Sequence, residues 1–461
     1  MTDYIRPLED TGTFPQIRRP TGFGRIVESI MHVGRDLLAR TRQGTLSGDQ
    51  PAEALGEHCR QLLDHRGEAS GLALANEILS DYQLLSVDDR LRFFELLNEQ
   101  FEPDPQAITD AAEAYRRAPA FETRSTLAKA VESPRQRLFR RLNMVPGGTS
   151  RLVRMRGDLL AVMNERPDLR ALDSDLRHLL IAWFNRGFLV MDRIDWNSPA
   201  SVLEKIVTYE AVHEINGLDD LRTRLAEDRR CFAFFHPAMP DDPLIFVQVA
   251  LTDGLVGAVG PLIAREREIT NVRETDTALF YSISNCHDGL RGISFGNFLL
   301  KQVIEELRRD LENIKHFVTL SPVPGLCQWI TEISLESLPN GVGKDIGAVR
   351  EILNAPGPLD LAEVTDDIRT SLLRLCAHYL LNAKHDGQPV DPVARFHLSN
   401  GAALERIHWK ADCSASGLRR SAGIMVNYAY RLKDIEKNHE AYFADGEVVT
   451  STEVRKLAQP R

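Results

Sequence analysis

The apolar residues of this chain change period once, near residue 184, and that change commits it to two kinds of packing in succession. Before the break the spacing is helical. Ile26, Ile30, Val33 and Leu37 recur at intervals of four, three and four, one face of an amphipathic helix. Ser86-Val-Asp-Asp89 places a hydroxyl cap and two acids ahead of a run carrying Leu91, Phe94, Leu97 and Phe101. Further helical runs surround Leu138 to Leu142 and Leu172 to Phe184. The basic stretch Arg135 to Arg141 reads as a solvated helix face, with a ligand patch as the alternative. Nothing in this half concentrates chemically active groups, so residues 1–184 are expected to form an all-helical packing or assembly domain.

Past the break, short runs rich in aromatic and β-branched residues take over. Cys231 to Phe235 and Leu244 to Leu251 read as strands joined across Pro237, Pro240 and Pro243. Ala278 to Ser284 reads as a third strand. A polar, Gly-bearing loop over 285–296 follows, then a helix from Asn297 to Leu311 and a strand from Phe317 to Ser321. Pro322-Val-Pro-Gly325 ends that strand before an amphipathic run, Leu326 to Ile333. Strand, loop, helix, strand, helix is a βαβα unit. Helical period returns from Asp345 to Leu381, and Gly423 to Tyr430 reads as a late strand. The fold class expected is therefore α+β or α/β, with residues 185–461 as the mixed-sheet domain.

Composition removes several function classes. A chain of 461 residues has room for two or three cores at about 150 residues each. Its net charge of -10 argues against a protein that tracks nucleic-acid phosphates. Six cysteines stand far apart, with no CxxC and no HExxH or HxH, so neither a disulfide framework nor a zinc site is expected. His213-Glu214 and His236 have no ligand-spaced partners, so no metal is expected at them, and Cys286-His-Asp288 reads as loop because neighbours on extended backbone point to opposite sides. Reduced thiols, an acid-bearing N-terminus without an apolar core, and no run long enough for a membrane span make a cytoplasmic protein the expectation. The final Gln-Pro-Arg is no peroxisomal address.

The segment Gly289-Leu-Arg-Gly-Ile-Ser-Phe-Gly296 sits between a strand and a helix. Glycines let backbone amides approach an anion, and a helix start adds free N–H groups and a positive dipole, so the loop reads as a pyrophosphate cradle, with a purely structural strand-to-helix turn as the alternative. It is neither a P-loop nor GxGxxG. It resembles instead the R/Q-x-x-G-x-G/A loop of acyl-CoA N-acetyltransferases, with Ser294 where a glycine is usual.

Further segments sharpen the resemblance: Trp183 to Leu189, Tyr209-Glu-Ala-Val-His213, Phe280 to Ser284, Val318-Thr-Leu-Ser-Pro-Val-Pro-Gly325, Ala394-Arg-Phe-His-Leu-Ser-Asn-Gly401 and Ile424 to Tyr430. Taken in this order with the loop, they closely resemble the malonyl-CoA decarboxylase family over most of residues 180–430. The resemblance implies a helical N-terminal oligomerisation domain, giving a homotetramer or homodimer, and a catalytic domain of acetyltransferase (GNAT) type. It implies that Ser321 and His397 are the active-site serine and histidine. The malonyl-CoA loop falls on Arg291, Gly292, Ile293, Ser294, Phe295, Gly296 and Asn297, and Tyr430 matches a tyrosine near the pocket. Some family members carry an acidic residue where Ser294 stands. Judged without the family, Ser321 reads as a strand end, His397 as a satisfied core histidine, and Tyr428 and Tyr430 as packed strand residues.

The implied reaction suits these residue types. Malonyl-CoA carries its own electron sink, so loss of carbon dioxide gives a thioester enolate with no cofactor. The expected partners are malonyl-CoA and acetyl-CoA, as in fatty acid and malonate metabolism. Ser321 would bond the carboxylate or enolate, and His397 would donate a proton near neutral pH. Two competing readings are an acyl-CoA-dependent acyltransferase on the same fold and a non-catalytic acyl-CoA-binding protein.

Overall fold

The computed structural model describes residues 30, 33, 50–293, 299–334, 336, 338, 346–355 and 359–459, with the side chain of Arg186 excepted. Its chain forms two compact units. The described residues of the first fall within Met1–Val190, Phe235–Leu244 and His287–Ser294; those of the second fall within Met191–Phe234, Ile245–Cys286 and Phe295–Arg461.

Among the described residues, eight α-helices of two turns or more build the first unit: α1 (Pro51–Asp64), α2 (Glu68–Leu84), α3 (Val87–Gln100), α4 (Pro105–Arg117), α5 (Phe121–Val131), α6 (Pro134–Leu142), α7 (Gly148–Val162) and α8 (Arg170–Trp183). The Ser86 hydroxyl caps α3 by accepting from the Asp89 amide at 3.1 Å, and Asp88 and Asp89 meet the positive end of the helix. Leu62, Ile78, Phe94, Leu97, Phe139, Leu152, Leu172 and Leu176 meet in one core. Each such side chain, fully buried, contributes about 1.5–3 kcal/mol. Of the predicted face, Ile26 and Leu37 lie outside the described residues, Ile30 packs against this core, and Val33 is exposed.

One expectation holds only in part: Arg137 and Arg140 are exposed, but Arg135 is 3% exposed, its guanidinium bonded to Asp175 at 2.5 Å and Glu102 at 2.7 Å. The helix turns it inward between two carboxylates, a pairing that a charge run in sequence does not reveal. Pro134 and the Ser133 cap fix where α6 starts and thus which arginine points in.

The second unit is built on a mixed sheet. Its strands are β1 (Val190–Ile194), β2 (Arg229–Phe235), β3 (Ile245–Thr252), β4 (Thr277–Asn285), β5 (His316–Thr319) and β6 (Ser321–Pro322). A two-residue hairpin follows, β7 (Lys384–His385) with β8 (Gln388–Pro389), then β9 (Ala403–His408) and β10 (Met425–Ala429). The order is β1-β2-β3-β4-β5-β10-β6, with β9 also on β10. β2, β3 and β4 are antiparallel neighbours, whereas β4 and β5 are parallel. A parallel pair needs a crossover, and the chain between β4 and β5, which includes helix α9 (Leu299–Asp310), supplies it. In sequence, a helical first part is thus followed by a mixed-sheet second part. Among the described residues, no helix is long and apolar enough to cross a membrane.

Candidate active site

β4 and β5 pair only from Thr277↔His316 to Phe280↔Thr319. Beyond Thr319 the chain leaves β4 and pairs with β10 instead, Val426 opposite Ser321, while β4 runs on to Asn285. The two strands therefore part, and a cavity of about 290 Å³ opens at the fork. Its apolar wall includes Val247, Phe280, Ile283, Leu299 and Phe396, and its polar groups include Ser282, Asn285, Ser321 and His397.

His397 reaches the fork from helix α10 (Pro392–Ser399). Asp391 caps this helix, its Oδ1 accepting from the amides of Val393 at 3.0 Å and Ala394 at 2.8 Å, with Pro392 in the first turn. His397 Nε2 lies 3.0 Å from Ser321 Oγ, and Nδ1 lies 2.8 Å from the Tyr430 hydroxyl. The Tyr428 ring stacks on the imidazole, centroids 4.6 Å apart at 24°. Ser321 Oγ also donates to Thr319 Oγ1 at 2.8 Å. The structure thus brings together Ser321, His397 and Tyr430, three residues spread over more than a hundred positions of sequence.

Burial sets the electrostatics. His397 is 2% exposed, and desolvation pushes its pKa down to about 3. The imidazole is therefore neutral at pH 7 in the free protein, which departs from the near-neutral titration expected from an ordinary histidine. Desolvation holds the Tyr430 and Tyr428 phenols well above their usual range, so both keep their protons. Desolvation also raises the Asp391 carboxyl to about 6, against the opposing pull of the Ala394, Val393 and Gly325 amides.

Of the predicted cradle, Arg291, Gly292 and Ile293 are described and lie in the helical unit, while Ser294, Phe295, Gly296 and Asn297 lie outside the described residues. Arg291 is exposed and pairs with Asp288 at 3.1 Å; Ile293 is buried. Gly292 has φ +76°, a left-handed turn that favours glycine. Gly289 is equally constrained, because a Cβ there would meet Val153 O at 1.8 Å.

Sequence reasoning missed what holds this loop. Arg156 of α7, 2% exposed and paired with Asp173 at 2.7 Å, donates to Gly289 O at 2.7 Å and Arg291 O at 2.9 Å. Arg177 of α8 donates to Gly292 O at 3.2 Å. It also missed the carboxylate behind the cavity wall. Glu210 is buried and accepts from Ser282 Oγ at 2.7 Å and Ser284 Oγ at 3.2 Å, with Gln248 Nε2 as a further donor. Two serines at a spacing of two on a strand otherwise apolar were the available signal. Among the described residues, His58, Glu77 and Asp81 form a group whose possible metal-ligand atoms lie within 4.8 Å of one another, in the helical unit.

Comparison with known proteins bears on this geometry. The family model described as malonyl-CoA decarboxylase C-terminal domain matches residues 187–461, and that described as malonyl-CoA decarboxylase N-terminal domain matches 101–184. The mitochondrial malonyl-CoA decarboxylase of Anser anser anser is 36% identical over 353 residues, 70% of this chain and 69% of that one. The crystal structure of malonyl-CoA decarboxylase from Rhodopseudomonas palustris is 48% identical with a TM-score of 0.83, covering 88% of this chain and 99% of that chain. The corresponding structure from Agrobacterium vitis is 48% identical with a TM-score of 0.81, over 88% and 100%. With two family models matching in series along its length, this chain belongs to the malonyl-CoA decarboxylase family.

Proposed function

We propose that this chain, an enzyme acting on malonyl-CoA to give acetyl-CoA and carbon dioxide, does so without a cofactor, using Ser321, His397 and Tyr430. The observation that carries the reading is the buried line Tyr430–His397–Ser321 at the wall of the forked cavity. When the carboxylate leaves, the carbon–carbon bond electrons enter the thioester carbonyl and an enolate forms. Ser321 carries one hydroxyl proton, which rotation about Cβ–Oγ can turn toward that oxyanion. Removing one such donor costs about 10²–10³ in kcat. The α-carbon then takes the proton from Nε2 of the neutral imidazole, and Tyr430 passes its own proton to Nδ1. An enolate carbon is a far stronger base than a phenolate, so the transfer runs downhill; once acetyl-CoA leaves, solvent reprotonates Nε2 from the cavity side and Nδ1 returns its proton to Tyr430. A dry site strengthens each of these interactions.

The cradle loop, Arg291 through Asn297, is proposed to hold the coenzyme A pyrophosphate. The helical unit is proposed to assemble two or four copies. In support, α5 buries none of its residues and α4 only Ala111. The proposed location is the cytoplasm, supported by six cysteines that are all free thiols; the relatives named above include a mitochondrial protein. Acyl transfer and non-catalytic binding are not favoured by the family. The test is carbon dioxide release from malonyl-CoA by the purified protein without any acyl acceptor and with a chelator present. Release at an undiminished rate is expected, and dependence on an acceptor amine or on a metal would overturn the reading.

A further inference from the structure

Thr319 is fully buried and does not line the cavity, yet its hydroxyl oxygen is held from two sides. It accepts from Ser321 Oγ at 2.8 Å and from the Tyr428 amide at 3.2 Å, while the Thr319 carbonyl accepts from Asn427 Nδ2 at 2.7 Å. In both of these contacts the threonine oxygen is the acceptor, and that has a consequence at the histidine. A serine hydroxyl has a single proton. Donated to Thr319, it is not available to His397, so the ring must supply the proton in the 3.0 Å contact between Nε2 and Ser321 Oγ.

A neutral imidazole has one N–H, and with it on Nε2 the other nitrogen is an acceptor. Tyr430 then donates to Nδ1 across 2.8 Å. The hydrogen bonds run one way: Tyr430 O–H to Nδ1, Nε2–H to Ser321 Oγ, Ser321 O–H to Thr319 Oγ1. Tyr430 alone cannot set this direction, because a phenol donates or accepts equally well. Nor can Ser321 by itself. The asymmetry enters at Thr319.

We propose that Thr319 is a positioning residue which, by taking the Ser321 proton, holds His397 as the Nε2–H tautomer before substrate arrives. That tautomer carries its proton on the cavity side, where the α-carbon needs it. The inference rests on the reading that His397 protonates the enolate. Thr319→Val keeps the shape and removes the acceptor. Ser321 then donates to Nε2, the ring proton moves to Nδ1, and Tyr430 becomes the acceptor. Thr319→Ser keeps the acceptor.

The experiment is 15N NMR of the full-length protein labelled with 15N-histidine, the His397 signals being assigned by their loss in His397→Asn, alongside steady-state kinetics with malonyl-CoA. In the unmodified protein the protonated nitrogen should be Nε2. In Thr319→Val it should be Nδ1, with kcat down about tenfold, the worth of one hydrogen bond, and KM unchanged. Thr319→Ser should match the parent in both readouts. A protonated Nδ1 in the unmodified protein, or Thr319→Val with Nε2–H and full kcat, would overturn the proposal. Full activity in Ser321→Ala and His397→Asn would instead overturn the site reading beneath it, whichever tautomer is observed.

Discussion

A buried imidazole with a pKa near 3 makes His397 sensitive to acid in a way an exposed histidine is not. An ordinary histidine titrates near 6.5, so below that pH the unfolded chain binds a proton that the native site refuses. Above pH 6.5 the two states bind alike. Native stability is therefore lost as pH falls from about 6.5 toward 3, by about 1.4 kcal/mol per pH unit from this group. Between pH 7 and 4.5 the unmodified protein should lose about 3 kcal/mol relative to His397→Asn, read from urea midpoints of both proteins. Equal losses in the two would show that this histidine is solvated. For the same reason kcat/KM, which reports the free enzyme, should show no acid limb near pH 6.5 from this residue. The identity of His397 as a site residue was legible only through its segment, Phe396-His-Leu398. Its proton affinity was not, because burial is a property of the packed chain. The same holds for Thr319, an ordinary strand residue until the hydroxyl two positions on is seen to donate to it.

At the scale of elements, β2, β3 and β4 lie within two residues of their sequence limits, since runs such as Cys231-Phe-Ala-Phe-Phe235 admit little else. β9 was illegible: Glu405 and Arg406 stand side by side and break the alternation that marks a strand. Helix α10 was missed too, although Asp391-Pro392 is a cap followed by a first-turn proline. That cap offers a clean test. Asp391 is buried with its carboxyl raised to about 6 from 3.8, so ionisation at pH 7 opposes folding. Asp391→Asn keeps an oxygen for the Val393 and Ala394 amides and removes the charge, and should be neutral to stabilising at pH 7. Asp391→Ala removes the cap and should cost about 1–2 kcal/mol. Thermal denaturation of both variants checks this, and an Asn variant as unstable as the Ala variant would contradict it. Arg156 permits a second test at this scale. Arg156→Lys cannot serve Asp173, Gly289 O and Arg291 O together. It should raise KM for malonyl-CoA several-fold while leaving kcat within about twofold, the pattern of weakened uniform binding.

Over the whole molecule, a boundary near residue 184 is what the change of period offers, but the compact units are not continuous in sequence. Phe235–Leu244 and His287–Ser294 fold with the helices. A linear reading has no means to see this, since the anchors are single side chains such as Arg156 reaching a backbone carbonyl 133 residues on. The helical unit also leaves large apolar side chains in solvent, among them Leu84 at 85%, Val87 at 75% and Phe121 at 69% exposed. Large apolar side chains left in solvent are what an association face would cover. Light scattering of the full chain should give two or four times 51.8 kDa, and Phe121→Glu should lower that mass without changing the circular dichroism. A particle of one chain in the unmodified protein would contradict the assembly role.

The central claim is that Ser321 and His397 act on one transition state. The direct measurement is carbon dioxide release at saturating malonyl-CoA by Ser321→Ala, His397→Asn and the double variant, each first shown to be folded. Each single change should lower kcat by about 10²–10³, and the double should be little worse than the more damaged single. Near-native release from either single variant, or a double variant as poor as the product of the two single effects, would contradict the account.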